Sequence, residues 1–193
     1  MPSVLFVCTA NICRSPYAQA VLQALLGAGS SVDVASAGVR AQWLETAGAR
    51  ACDEMPYGRH MSEGALVTHQ VPHAAAQLDS QMIHAADLVV AFEQQHRAAI
   101  IDLVPRAQLK TYTARQVQRL ARAVSRDVWP DSAPKRTGDV LRDLNAARSW
   151  APFADDVDVA DPHGSGIAAH EACADEIEEI VTDLALVLAQ QPR

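Results

Sequence analysis

The chain contains no apolar run approaching the ~20 residues that a membrane-spanning helix needs. It also lacks an excess of positive charge: 16 Lys and Arg stand against 23 Asp and Glu, for a net charge of -7 and a pI near 5.4. General nucleic-acid binding leaves a basic footprint, so that class is not expected. Cysteine is scarce, with four residues at the irregular positions 8, 13, 52 and 173. Such spacing does not make a disulfide framework and implies a reducing, cytoplasmic setting. The first apolar run starts directly after Met1 and Pro2, so no signal peptide is expected. There is no Gly-x4-Gly-Lys loop and no His-Glu-x2-His motif. His69 and His73 have helical spacing, but Pro72 lies between them, so no metal pair is expected there. No repeat or low-complexity tract interrupts the chain.

What is present is enough for one folded domain spanning residues 1–193, because 49% of the 193 residues are hydrophobic. Val4 to Val7 is a short apolar run of the kind that forms a buried parallel strand. Val21, Leu22, Leu25 and Leu26 recur at helix spacing within Ala18 to Leu26, and the Gly27 to Ser30 stretch ends that helix. Val32 to Ala35 predicts a second strand, Ala86 to Phe92 a third, and Gln108 to Tyr112 a fourth. Gln94 to Leu103 predicts a helix stopped ahead of Pro105. Further helices are expected over Gly138 to Trp150 and Ile167 to Leu188. The last carries one apolar stripe of Ile167, Cys173, Ile177, Ile180, Val181, Leu184 and Leu188. Residues 41 to 80 are broken by glycine and proline and give no clear assignment. Strands alternating with helices define an α/β fold of three layers, a four-stranded parallel sheet with helices on both faces.

One segment carries the chemistry. Residues Cys8 to Pro16 read Cys-Thr-Ala-Asn-Ile-Cys-Arg-Ser-Pro, between the first strand and the first helix. A loop feeding a helix N-terminus points its backbone N–H groups at a common centre and makes an anion site. Arg14 adds a planar donor suited to two phosphate oxygens. Cys8 supplies a nucleophile at the floor of the cradle, where the field that holds a phosphate also favours a thiolate. Ligands bind at the carboxyl ends of the strands in such sheets, which is where Cys8 falls.

The Cys-x5-Arg-Ser loop resembles that of protein tyrosine phosphatases. Its place at the N-terminus, with Asn11, Cys13 and Ser15-Pro16, is similar to the low-molecular-weight protein tyrosine phosphatase family. The likeness runs over residues 3 to 40, 73 to 101 and 158 to 188, while residues 105 to 157 are longer than the bacterial pattern. The resemblance implies hydrolysis of phosphotyrosine proteins or aryl phosphates through a cysteinyl phosphate, without a metal or other cofactor. Inorganic phosphate or a similar oxyanion would occupy the loop. Thr9, Ala10, Asn11, Ile12, Cys13 and Ser15 would surround it, with Trp43 on the cleft rim. Asp161, followed by Pro162 and two nearby glycines, matches the family's acid, with Asp158 as the fallback.

By the same resemblance, Ser15 donates to the sulfur, and Asn11 pins the loop with Ser36 as its partner. Cys13 would pair with Cys8 under oxidation. His73 would be a structural landmark. Ala10 departs from the family's glycine, and if that position required positive φ the loop would be strained.

Two rivals share the loop. An arsenate reductase of the same fold needs a close downstream cysteine pair, and Cys52 and Cys173 are isolated. A non-catalytic phosphate-binding module has no need of Cys8, Arg14 and Asp161 together. Arg115, Arg119, Arg122 and Arg126 form one helical face opposite Val117, Leu120, Ala121 and Val124. That face is expected to lie beside the acidic stretch Asp155 to Asp158, or to dock an acidic partner.

Overall fold

The computed structural model describes residues 2–41, 73–125, 139–150 and 157–189. Four strands, β1 (Ser3–Cys8), β2 (Asp33–Gly38), β3 (Leu88–Ala91) and β4 (Thr111–Thr113), pair in parallel in the order β2-β1-β3-β4. Around them run α1 (Arg14–Leu26), α2 (Ser80–Ala85), α3 (Gln94–Leu103), α4 (Ala114–Ser125), α5 (Val140–Ala147) and α6 (Ile167–Ala189).

Successive strand side chains point to opposite faces, and β1 divides its apolar residues accordingly. Val4, Phe6 and Cys8 join the core under α1, α4, α5 and α6, together with Val90 and Tyr112. Leu5 and Val7 join Val89, Ala91, Ile83 and Ile100 under α2 and α3. Burial on both faces is why β1 and β3 read as continuous apolar runs and not as alternating ones. Phe6 and Phe92 stack at a centroid distance of 6.3 Å on the first face.

The chain leaves β1 toward β2 on one side and returns to β3 on the other. The strand order therefore reverses between β1 and β3, and a crevice opens beyond their carboxyl ends. The loop after β1 and the first turn of α3 both reach that crevice.

Several boundaries differ from the sequence expectation: β2, expected over Val32 to Ala35, runs Asp33–Gly38, and β3, expected over Ala86 to Phe92, covers only Leu88–Ala91. Helix α1 starts at Arg14, so Pro16 lies within the first turn, where N–H groups have no intrahelical acceptor and proline costs nothing. Strand β4 begins at Thr111, because Pro105–Leu109 forms a 3-10 turn that consumes the residues expected to open it. Helix α5 covers only Val140–Ala147; Asp139 caps it by accepting the Arg142 N–H.

The arginine face of α4 also lies elsewhere than expected. It packs on α6: Arg115 pairs with Glu176 at 2.5 Å, and Arg122 pairs with Asp183 at 2.7 Å. Asp158 instead accepts the Gln94 N–H at the start of α3. Arg126, Asp155 and Asp156 lie outside the described residues.

Candidate active site

The loop from Cys8 to Cys13, buried except for the half-buried Thr9, lies across the end of β2. A Cβ on Gly38 would sit 2.8 Å from three backbone atoms, the Ala10 carbonyl carbon, the Asn11 nitrogen and the Thr9 oxygen. Only glycine allows that approach. The backbone beyond it ties the loop down, with Val39 N–H donating to Cys8 O and Arg40 N–H to Thr9 O.

Asn11 is the keystone. Its φ of 57° is the single positive value at a non-glycine residue among those described, a conformation that asparagine tolerates better than most. Ala10 is therefore not the strained position, and its departure from glycine leaves the loop intact. The Asn11 amide donates to both Ser15 Oγ and Ser36 Oγ at 2.9 Å. Its Oδ1 accepts the Ala76 N–H at 2.8 Å, and its carbonyl contacts His73 Nε2 at 2.8 Å. The backbone N–H of Asn11 then points at Cys8 Sγ, 3.2 Å away.

Ser15 Oγ is 3.0 Å from the same sulfur and 3.3 Å from Ala37 O. Its one hydroxyl proton has two candidate acceptors, and a thiolate is the stronger. Cys8 Sγ thus has two donors converging on it at the floor of the loop.

Arg14 is 1% exposed, and both terminal nitrogens of its guanidinium have partners. Nη1 donates to Glu93 Oε1 at 2.5 Å and to Val159 O at 2.9 Å. Nη2 donates to Asp161 Oδ2 at 2.6 Å and, more weakly, to Thr9 Oγ1 at 3.4 Å. Burial by itself would raise the Glu93 carboxyl. Hydrogen bonds from Arg14 and Gln95, with the Arg14 charge, more than offset it and hold Glu93 below the ordinary carboxylate value. Glu93 stays charged and fixes the guanidinium.

Asp161 is brought to Arg14 by the segment ahead of α6. Val159 N–H donates to Phe92 O, which hooks this segment to the end of β3. Asp161 Oδ1 accepts the His163 N–H, and Gly164 and Gly166 turn the chain with φ of 75° and 81°. The Asp161 side chain remains 41% exposed, as a group that overhangs a pocket should. Cys173 lies beneath: its thiol donates to Ala160 O at 3.7 Å, and burial pushes it up to about 12. It is a protonated core thiol.

The structure therefore brings together Cys8, Thr9, Asn11, Arg14, Ser15, Ser36 and Asp161, with Ala10, Ile12 and Cys13 buried in the same loop. Cys8 and Cys13 are not joined in a disulfide. Trp43 lies outside the described residues. Sequence reasoning missed Glu93, His96 and the close approach at Gly38. The available signal was position: Glu93 and His96 open the helix after β3, at the reversal of strand order. Among the described residues no three His, Cys, Asp or Glu converge to hold a metal ion, and no helix is long and apolar enough to cross a membrane.

A cysteine at the floor of a buried loop, an arginine anchored behind it and a carboxylate at its mouth are the groups that a cysteine-dependent phosphatase mechanism calls for. The family model for low molecular weight phosphotyrosine protein phosphatase matches residues 3–139, and the chain belongs to that family. A low molecular weight protein-tyrosine-phosphatase of Streptomyces coelicolor is 30% identical over 191 residues, covering 97% of this chain and 94% of the relative. A protein-arginine-phosphatase of Bacillus subtilis is 27% identical, covering 98% and 99%. Among solved structures, the YwlE arginine phosphatase from Geobacillus stearothermophilus superposes with a TM-score of 0.58 at 26% identity, covering 96% of this chain and 91% of the other. Vibrio vulnificus Wzb in complex with benzylphosphonate shares the fold with a TM-score of 0.61 at 23% identity, covering 95% and 97%.

Proposed function

We propose that this chain is a protein tyrosine phosphatase whose described site performs both steps of the reaction. In the first step the Cys8 thiolate attacks phosphorus in line with the ester bond. The S–P bond forms, the P–O bond breaks, and Asp161 gives its proton to the departing phenolate oxygen. Arg14 and the loop N–H groups hold the equatorial oxygens as charge spreads over them. In the second step Asp161 takes a proton from water. The water oxygen bonds to phosphorus, and Cys8 leaves as a thiolate, with Ser15 and the Asn11 N–H stabilising the sulfur.

The observation that carries this reading is the convergence on one buried loop. Cys8 Sγ lies under two donors, and the Arg14 fork is clamped by Glu93 with Asp161 at its outer edge. A floor-level sulfur suits a long aromatic ester, which reaches it where phosphoserine falls short. The irregular spacing of the four cysteines supports a reducing, cytoplasmic setting, with the whole chain acting as one catalytic domain. The arsenate reductase reading is not favoured, since Cys173 is a lone protonated thiol.

The test is hydrolysis of an aryl phosphate and of phosphotyrosine and phosphoarginine peptides, in the presence of EDTA. Phosphotyrosine turnover abolished by Cys8→Ser supports the assignment. Preference for phosphoarginine would move the substrate to the chemistry named for the Bacillus relative, and turnover lost to EDTA would overturn the cysteine mechanism.

A further inference from the structure

His96, on the first turn of α3, has no part in the reaction as described. Its ring is 1% exposed. Nε2 lies 2.9 Å from Thr9 Oγ1 and 3.8 Å from Glu93 Oε1. Nδ1 is buried and has no hydrogen-bond partner among the described residues.

That asymmetry selects the tautomer. A buried N–H with no acceptor costs more than a buried lone pair with no donor. The proton therefore sits on Nε2, where it faces Thr9 Oγ1 and the Glu93 carboxylate. The ring is neutral near neutral pH, because burial pushes it down to about 4 against the opposing pull of Glu93.

The consequence falls on Thr9. A threonine hydroxyl has two acceptor sites and one proton. His96 Nε2–H takes one acceptor site, and Arg14 Nη2–H approaches the other at 3.4 Å. The Thr9 proton is left to donate. The same Nη2 carries the Asp161 carboxylate at 2.6 Å, so an anionic oxygen held by this nitrogen has the Thr9 hydroxyl as its neighbour.

We propose that the Thr9 hydroxyl is a direct hydrogen-bond donor to the oxyanion bound in the loop, and that His96 is the positioning residue that turns its proton toward that oxyanion. This rests on the loop being a phosphate site, as proposed above, but not on hydrolysis. It adds a side-chain donor to the backbone N–H groups and Arg14.

The test is the dissociation constant of inorganic phosphate by titration calorimetry at neutral pH, with thermal melts as a folding control. A hydrogen bond to a charged group implies that Thr9→Val weakens phosphate about tenfold, whereas Thr9→Ser stays within about twofold. His96→Leu should weaken it about fivefold, and His96→Gln, which retains a donor, should recover most of that loss. The double change Thr9→Val with His96→Leu should be no weaker than Thr9→Val alone, because His96 acts only through the hydroxyl. Wild-type affinity in Thr9→Val, or losses that multiply in the double variant, would overturn the proposal. Should His96→Leu fail to fold, the Val and Ser pair at Thr9 still decides it. Phosphate binding that responds to Thr9 in a protein without aryl phosphatase turnover would support this proposal and sink the hydrolytic one.

Discussion

Nη2 of Arg14 and Oδ2 of Asp161 stand 2.6 Å apart, so the proposed phosphate-holding fork and the proposed leaving-group acid share a direct contact. On the proposed mechanism an incoming phosphate oxygen would compete with Asp161 for that donor and displace the carboxylate toward the mouth of the loop. Glu93 and Val159 O stay on the other nitrogen and keep the fork from following.

Asp161→Asn should therefore separate binding from chemistry. Loss of a general acid costs about 10²–10⁴ in kcat, with the smaller loss for aryl phosphates whose phenols leave readily unprotonated. Phosphate affinity should hold or rise, since a competing negative charge is gone. Steady-state kinetics on two aryl phosphates, with phosphate as inhibitor, reads both. Weaker phosphate inhibition would contradict the shared contact.

Gly38→Ala should disable the loop from outside it. The added carbon would meet three backbone atoms at 2.8 Å, none of them able to swing aside as a side chain does. Overpacking of this kind costs about 1–3 kcal/mol, and the movement that relieves it shifts Thr9 to Asn11. Expected are a modest drop in the unfolding midpoint and a large loss of turnover. Near-normal turnover would show that the loop has slack which this geometry denies.

Asn11→Asp keeps the size and the tolerance for positive φ but removes both amide donations. Ser15 and Ser36 lose their buried partner and face a carboxylate. Leaving buried groups unsatisfied costs about 1–3 kcal/mol each, so chemical denaturation should show about 3 kcal/mol of lost stability with activity nearly gone. A variant as stable as wild type would mean that Asn11 does not hold the loop.

Acid should act through His96. Its ordinary value is 6.5, and burial pushes it down to about 4 in the folded chain. Between those values the unfolded chain binds a proton that the folded chain refuses, so stability falls as pH drops through that window. The share due to His96 between pH 7 and pH 5 is about 2 kcal/mol. Urea unfolding of wild type and His96→Gln at both pH values isolates it, and the variant should lose that much less stability on acidification. Equal losses in the two proteins would show that His96 titrates normally. Glu93 works in the same direction at lower pH: its folded value is depressed, so its contribution is present above 4.5 and fades as pH falls below.

The sheet and most of the candidate site were legible in the sequence because their signals are local. Val4 to Val7 announces a buried strand, the Cys8 to Pro16 segment announces the loop, and helix α3 ends where Pro105 requires. What stayed hidden depends on residues distant in sequence meeting in space. The clamp of Glu93 on Arg14 spans 79 positions, and the His96 contact with Thr9 spans 87. The role of Gly38 stayed hidden too, because no pattern within β2 shows that a loop backbone lies on it. The α4 arginines were expected near Asp155 to Asp158, but apolar spacing fixes only which way a helix faces. Their pairing with Glu176 and Asp183 follows from α6 packing beside α4.

The central claim is a covalent phosphoryl group on Cys8, and the direct measurement is acid quench during turnover of an aryl phosphate, followed by peptide mapping by mass spectrometry. Phosphoryl transfer to sulfur predicts a phosphorylated peptide containing Cys8 that forms within the first turnover and is absent from Cys8→Ser. Turnover at full rate with no phosphoryl-enzyme, or with the label on another residue, would contradict it.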